Sequence, residues 1–151
     1  MNPLLLSLQV RLQKIIALLE TLKKQSSMEE NRKKFYDVAL SFAGKDATPR
    51  DEVPDEVACA STLNAIHKQA FGSPIGGGAS TYRLYHVLLD SPDFTKIDQP
   101  EWGAIIISPS GYGSGRLAHG HAGILDDKDN IMSNDSKSGL FVKGYTLDTW
   151  T

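Results

Sequence analysis

Apolar residues recur every three or four positions up to about Leu89 of this 151-residue chain, and from Ala104 onward they gather into short runs instead. The first spacing belongs to helices that bury one face, the second to strands. Helices first and strands afterwards predict an α+β fold, because a parallel sheet needs the two to alternate. No internal repeat interrupts this order. A chain of this length, 40% hydrophobic and 23% charged, can bury one core of ordinary composition.

The sharpest helical signal comes first. Leu5, Leu8, Leu12, Ile15, Leu19 and Leu22 alternate steps of three and four, an a/d heptad stripe of three repeats, with Pro3 tolerated in the first turn. Leu4, Ile16 and Leu18 widen the stripe. Such a face requires cover: its own domain, a second copy, a partner protein, or a membrane surface helped by Lys23 and Lys24. Gln25-Ser26-Ser27 reads as a polar break, which sets an expected boundary between an amphipathic segment, residues 1–27, and a main domain, residues 28–151.

Ser27 is then expected to cap a second helix over 28–43, ended by Gly44, with Phe35, Val38, Ala39 and Phe42 on its apolar side. Two prolines and several acids make 46–54 an irregular loop. A further helix is expected from about Asp55 to Phe71, closed by Gly72, and a short one capped by Ser80 that carries Leu84, Val87 and Leu88. Ala104-Ile-Ile-Ile-Ser reads as a buried strand, and 118–125 with 130–134 as a hairpin.

Several function classes are disfavoured. A net charge of −2 argues against general nucleic-acid affinity, although residues 1–34 hold seven Lys/Arg against three Glu. The lone cysteine, Cys59, forms no internal disulfide. The opening apolar run has no basic residue before it and no small-residue cleavage site after it, so no classical signal peptide is expected, and Arg11, Lys14 and Glu20 interrupt it too early for a bilayer span. No cofactor is expected. His119, His121 and Cys59 match no common zinc spacing.

What chemistry remains centres on Cys59. With Asp55 as N-cap it falls in the first turn of its helix, where free amides and the helix dipole favour a thiolate and hence a nucleophile. Its spacing with Leu63, Ile66 and Ala70 equally suits a buried core thiol. His121 opens the next strand but one. If Asp127 and Lys128 are the centre of a tight turn, His121 lies directly opposite Asn134, which orients one ring nitrogen and leaves the other for the thiol. A slip of one residue offers Ser133 or Asp135 instead. If the strand is already regular at that point, His119 faces the same way as His121; Tyr112 sits in a glycine-rich loop and Trp102 precedes the first strand, and these and Asp135 are candidate substrate contacts. His67 and His86 read as structural or surface groups.

Gly120-His121-Ala122-Gly123-Ile124 resembles the histidine strand of the papain-like peptidoglycan hydrolases of the NlpC/P60 and CHAP groups, and Glu101-Trp102-Gly103-Ala104-Ile105-Ile106-Ile107 is similar to the strand before it. The resemblance spans residues 35–151, with Cys59, Ala104, His121 and Asn134 as anchors. It departs from the pattern at Ala58, where these families often carry a polar residue, and at Glu101-Trp102-Gly103. It implies a papain-like core and an endolysin-type hydrolase, endopeptidase or N-acetylmuramoyl-L-alanine amidase, with Cys59 as nucleophile, His121 as base and then acid, and Asn134 as orienter. The implied partner is a peptidoglycan stem peptide or glycan-peptide; the implied location is host cytoplasm or virion, with action at the bacterial wall. The rival expectation is a non-catalytic virion or assembly protein that keeps the fold and oligomerises through its N-terminal helix.

Overall fold

The structure is a computed structural model that describes residues 3–48, 53–54, 57–109, 120–126 and 129–150. It is an α+β chain, as expected, with three α-helices among the described residues, α1 (Pro3–Phe42), α2 (Cys59–Phe71) and α3 (Thr81–Asp90), and four strands, β1 (Ile105–Ser108), β2 (His121–Leu125), β3 (Asn130–Asn134) and β4 (Phe141–Thr146). The strands form one antiparallel sheet in the order β1-β2-β3-β4. The chain divides into two compact units, Met1–Lys33 and Lys34–Thr151.

The expected break at Gln25-Ser26-Ser27 does not occur. α1 runs through it for 40 residues, so Ser27 is a mid-helix residue and caps nothing. No proline or glycine lies between Leu4 and Ala43, and serine within a helix costs only about 0.5 kcal/mol relative to alanine, too little to end one. In the first unit the leucines and isoleucines of α1 are exposed.

The second unit holds the core. Phe35 and Ala39 of α1, Cys59, Ala60, Leu63, Ile66 and Ala70 of α2, and Leu84 of α3 meet Ala122, Ile124, Met132 and Phe141 of the sheet. α2 packs directly on β2 and β3. It ends at Gly72, whose amide bonds the Lys68 carbonyl at 2.8 Å, and Ser80 caps α3 through the Arg83 amide, both as the sequence indicates. The triple glycine between them is strapped: Asn64 accepts from Gly76 N–H at 2.8 Å and shares its amide protons among the carbonyls of Ala60, Gly76 and Gly78. Gly77 permits that path, because its φ is +74° and a β-carbon there would sit 2.5 Å from the Leu84 nitrogen.

β4 is an element the sequence reading did not find. It closes the unit: after α1, Gly44 donates to the Phe141 carbonyl at 2.8 Å and Phe141 donates back to Lys45 at 2.9 Å. Within β4 the pairs Met132–Lys143 and Ile131–Tyr145 leave Gly144 as an unpaired bulge residue.

The hairpin register differs by one residue from the expected one. Gly123 pairs with Ser133, Ile124 with Met132 and Leu125 with Ile131, and Asp126 N–H donates to the Asn130 carbonyl at 2.7 Å. The loop is therefore three residues long, where two or four would have set His121 opposite Asn134. Asp129 takes the left-handed conformation, φ +60°, that a three-residue hairpin loop asks of its last residue. Asp126, buried at the hairpin's end, holds this closure by bonding Tyr36 of α1 and the ammonium of Lys143.

Candidate active site

Cys59 is the first residue of α2, and its sulfur lies in the first turn as expected, although Ala58 precedes it with no side-chain cap. Asp55, the expected cap, lies outside the described residues, as do Tyr112 and His119. Burial pushes the Cys59 thiol above its ordinary pKa of 9.0, and the backbone amides of Ala122, Ala60 and Cys59 itself pull it the other way. The Ala122 amide matters most for geometry. It belongs to the peptide that follows His121, so the thiol meets β2 at the histidine's own end of the strand.

His121 opens β2 and pairs with Ser108 of β1. Alternation along the strands sets His121 and Gly123 on the same face as Ile131, Ser133 and Tyr145, while Ala122, Ile124 and Met132 face the α2 side. Ser133 Oγ lies 3.1 Å from His121 Nε2 and donates its single proton to the Ala122 carbonyl at 2.7 Å. It has only lone pairs left for the ring, so Nε2 carries the proton and donates, and Nδ1 is the basic nitrogen. Burial lowers the His121 pKa below its ordinary 6.5, keeping the ring neutral.

The residue that orients the imidazole is thus Ser133, one of the two alternatives a register slip offers, in place of Asn134. Asn134 is buried in the strand position beyond it and accepts from Thr62 of α2 at 3.4 Å. Gly123 makes the Ser133 contact possible. A β-carbon at Gly123 would stand 2.7 Å from Ile131 Cγ2 and 3.3 Å from Ser133 Cβ, so only a bare backbone lets the serine lie across the strand.

Asp135 is drawn into the turn that follows β3. Its carboxylate accepts from the Ser138 amide at 3.0 Å and hydroxyl at 2.7 Å, which holds its pKa below the ordinary carboxylate value. Its charge still reaches Tyr145, whose phenol pKa is raised first by burial and then by Asp135 and Cys59. Trp102 lies elsewhere: it packs edge-on against Tyr36 at 5.4 Å, beside the Leu125 end of β2 and about 13 Å along the strand from His121.

Two aromatic residues of the site went unread in the sequence. Trp150 stacks on the His121 ring at 4.7 Å, and Tyr145 meets the same ring edge-on at 4.8 Å. The Trp150 indole N–H is buried without a hydrogen-bond partner. Tyr145 lies on β4 and Trp150 follows the short turn after it, so their signal was invisible without that strand. Among the described residues no cluster of three His, Cys, Asp or Glu groups is arranged to hold a metal ion, and no helix is long and apolar enough to cross a membrane.

Comparison of the chain with protein-family models, with curated proteins and with solved structures finds no match in any of the three. The structure brings His121 and Ser133 together on one face of the sheet, whereas Cys59 meets the strand from the α2 side at the Ala122 amide. It offers a thiol among backbone amides, a neutral imidazole whose proton position is fixed, and a hydroxyl that fixes it.

Proposed function

We propose that this chain is a papain-like cysteine hydrolase that cleaves an amide bond of peptidoglycan, in a stem peptide or at the lactyl amide. The observation behind the chemistry is that the Cys59 sulfur meets the Ala122 amide, in the peptide next to His121, whose ring Ser133 holds through Nε2. Strand alternation turns that ring to the sheet face away from α2, so the reaction requires the imidazole to turn toward the thiol. The substrate class rests on the Gly120–Ile124 resemblance.

In this mechanism the thiol proton passes to Nδ1 of His121 as the sulfur attacks the amide carbon. The Cys59 backbone amide donates to the oxyanion that forms. The imidazolium returns the proton to the departing amine, leaving a thioester, and water activated by the same nitrogen frees the acid and restores the thiol. Because burial raises one pKa and lowers the other, the resting pair is neutral, and its ions appear only during turnover. Ser133 accepts from Nε2–H in both charge states of the ring and stabilises the imidazolium.

The test is solubilisation of purified cell walls by wild type, Cys59→Ala and His121→Ala, each shown folded by near-ultraviolet circular dichroism. Either substitution should lower the rate by about a thousandfold or more. Undiminished lysis by either variant overturns the mechanism, and mass spectrometry of the fragments identifies the bond.

One observation favours a second reading, a non-catalytic assembly protein with the same fold: Cys59 is only 6% exposed. On that reading iodoacetamide does not alkylate the folded thiol at pH 8, whereas a working nucleophile is alkylated and loses activity in step.

A further inference from the structure

We propose that residues Leu4–Leu22 of α1 form a coiled-coil interface with further copies of this chain. All six stripe residues, Leu5, Leu8, Leu12, Ile15, Leu19 and Leu22, are 52–62% exposed, and Leu4, Ile16 and Leu18 beside them are 47–67% exposed. Nothing in the sequence breaks the helix that displays them.

The spacing selects the occupant. A straight α-helix has 3.6 residues per turn, so a stripe with a strict 3.5-residue repeat drifts around it unless the helix supercoils about a partner with the same repeat. A second copy supplies that repeat in full. Two antiparallel copies match Leu5 with Leu22, Leu8 with Leu19 and Leu12 with Ile15, so every layer is apolar on both sides; parallel copies match each residue with itself to the same effect. The next heptad positions are Ser26 and Glu29, which end the seam where the polar stretch begins.

Area and charge agree. A fully buried leucine-sized side chain removes roughly 60–120 Å² from water, so the nine residues supply on the order of 800 Å² per chain, the share each partner gives a stable interface. The flanking e and g positions are Gln9, Ile16, Lys23 and Leu4, Arg11, Leu18, Gln25, a set dominated by apolar and neutral groups. An anionic membrane surface would favour a polar border rich in cations, and this border has two.

The experiment is sedimentation equilibrium of the full chain from about 1 to 100 µM, for wild type, Leu12→Asp, Ile15→Asp and the off-stripe control Val10→Asp. Trp102 and Trp150 fluorescence reports that residues 34–151 remain folded. The expected result is a concentration-dependent oligomer for wild type and for Val10→Asp, with association weakened more than about a hundredfold in each stripe variant. A monomeric wild type overturns the proposal, as does an oligomer indifferent to the stripe substitutions. Binding of a monomeric wild type to vesicles of one-third phosphatidylglycerol overturns it too, in favour of a lipid partner.

Discussion

Ser133 has one proton and spends it on the Ala122 carbonyl, and that single fact decides which nitrogen of His121 is basic. On the proposed mechanism, Ser133→Ala should lower the rate of wall cleavage about ten- to hundredfold while leaving KM near wild type. Its acid limb should move to lower pH, since the imidazolium loses an acceptor. Stability should carry the same signature. His121 is depressed in the folded chain, so the unfolded chain binds protons first as pH falls through 6.5, and stability is lost below that value. Cys59 is raised, so the unfolded chain ionises first as pH rises through 9.0, and stability is lost above it. Thermal melts should show a plateau between these limits, and His121→Phe should flatten the acid side alone.

At the scale of elements, Gly123 and the hairpin register do the positioning. Gly123→Ala should cost about 1–3 kcal/mol, because its new methyl meets Ile131 and the Met132 carbonyl at 2.7 Å, and it should also lower activity by pushing Ser133 away. Chemical denaturation and wall-cleavage rates check the two effects separately. The places of Cys59 in the first turn of a helix and of His121 on a strand, the caps at Gly72 and Ser80, and both hairpin strands were legible because each carries a local signal: a helix start, a glycine, a capping serine, an apolar run. The register was not. It depends on one residue of loop length, and the left-handed backbone of Asp129 that settles it is no more than tolerated by aspartate. β4 was hidden by Gly144 and Lys143, which spoil its alternation through a bulge, and with it went Tyr145 and Trp150.

For the molecule as a whole, α1 serves two units. Its exposed leucines belong to the first, whereas Phe35 and Ala39 are built into the core of the second. A chain starting at residue 29 should keep a cooperative thermal transition within a few degrees of the full chain, while Phe35→Ala in the full chain should cost about 3–5 kcal/mol. The polar residues at 25–27 were read as a boundary because composition changes there; continuity of the helix was legible only in the absence of proline and glycine.

The pairing of Gly44 and Lys45 with Phe141 joins positions nearly a hundred residues apart, and Tyr36 with Asp126 spans a similar separation. Such closures carry a large loop entropy that must be met before they return any energy. On the ribosome α1 and α2 would emerge with their apolar faces uncovered and wait for the strands. β4, which these closures require, is the last of the described strands in chain order, so the pairings with residues 44–45 form only once it has emerged.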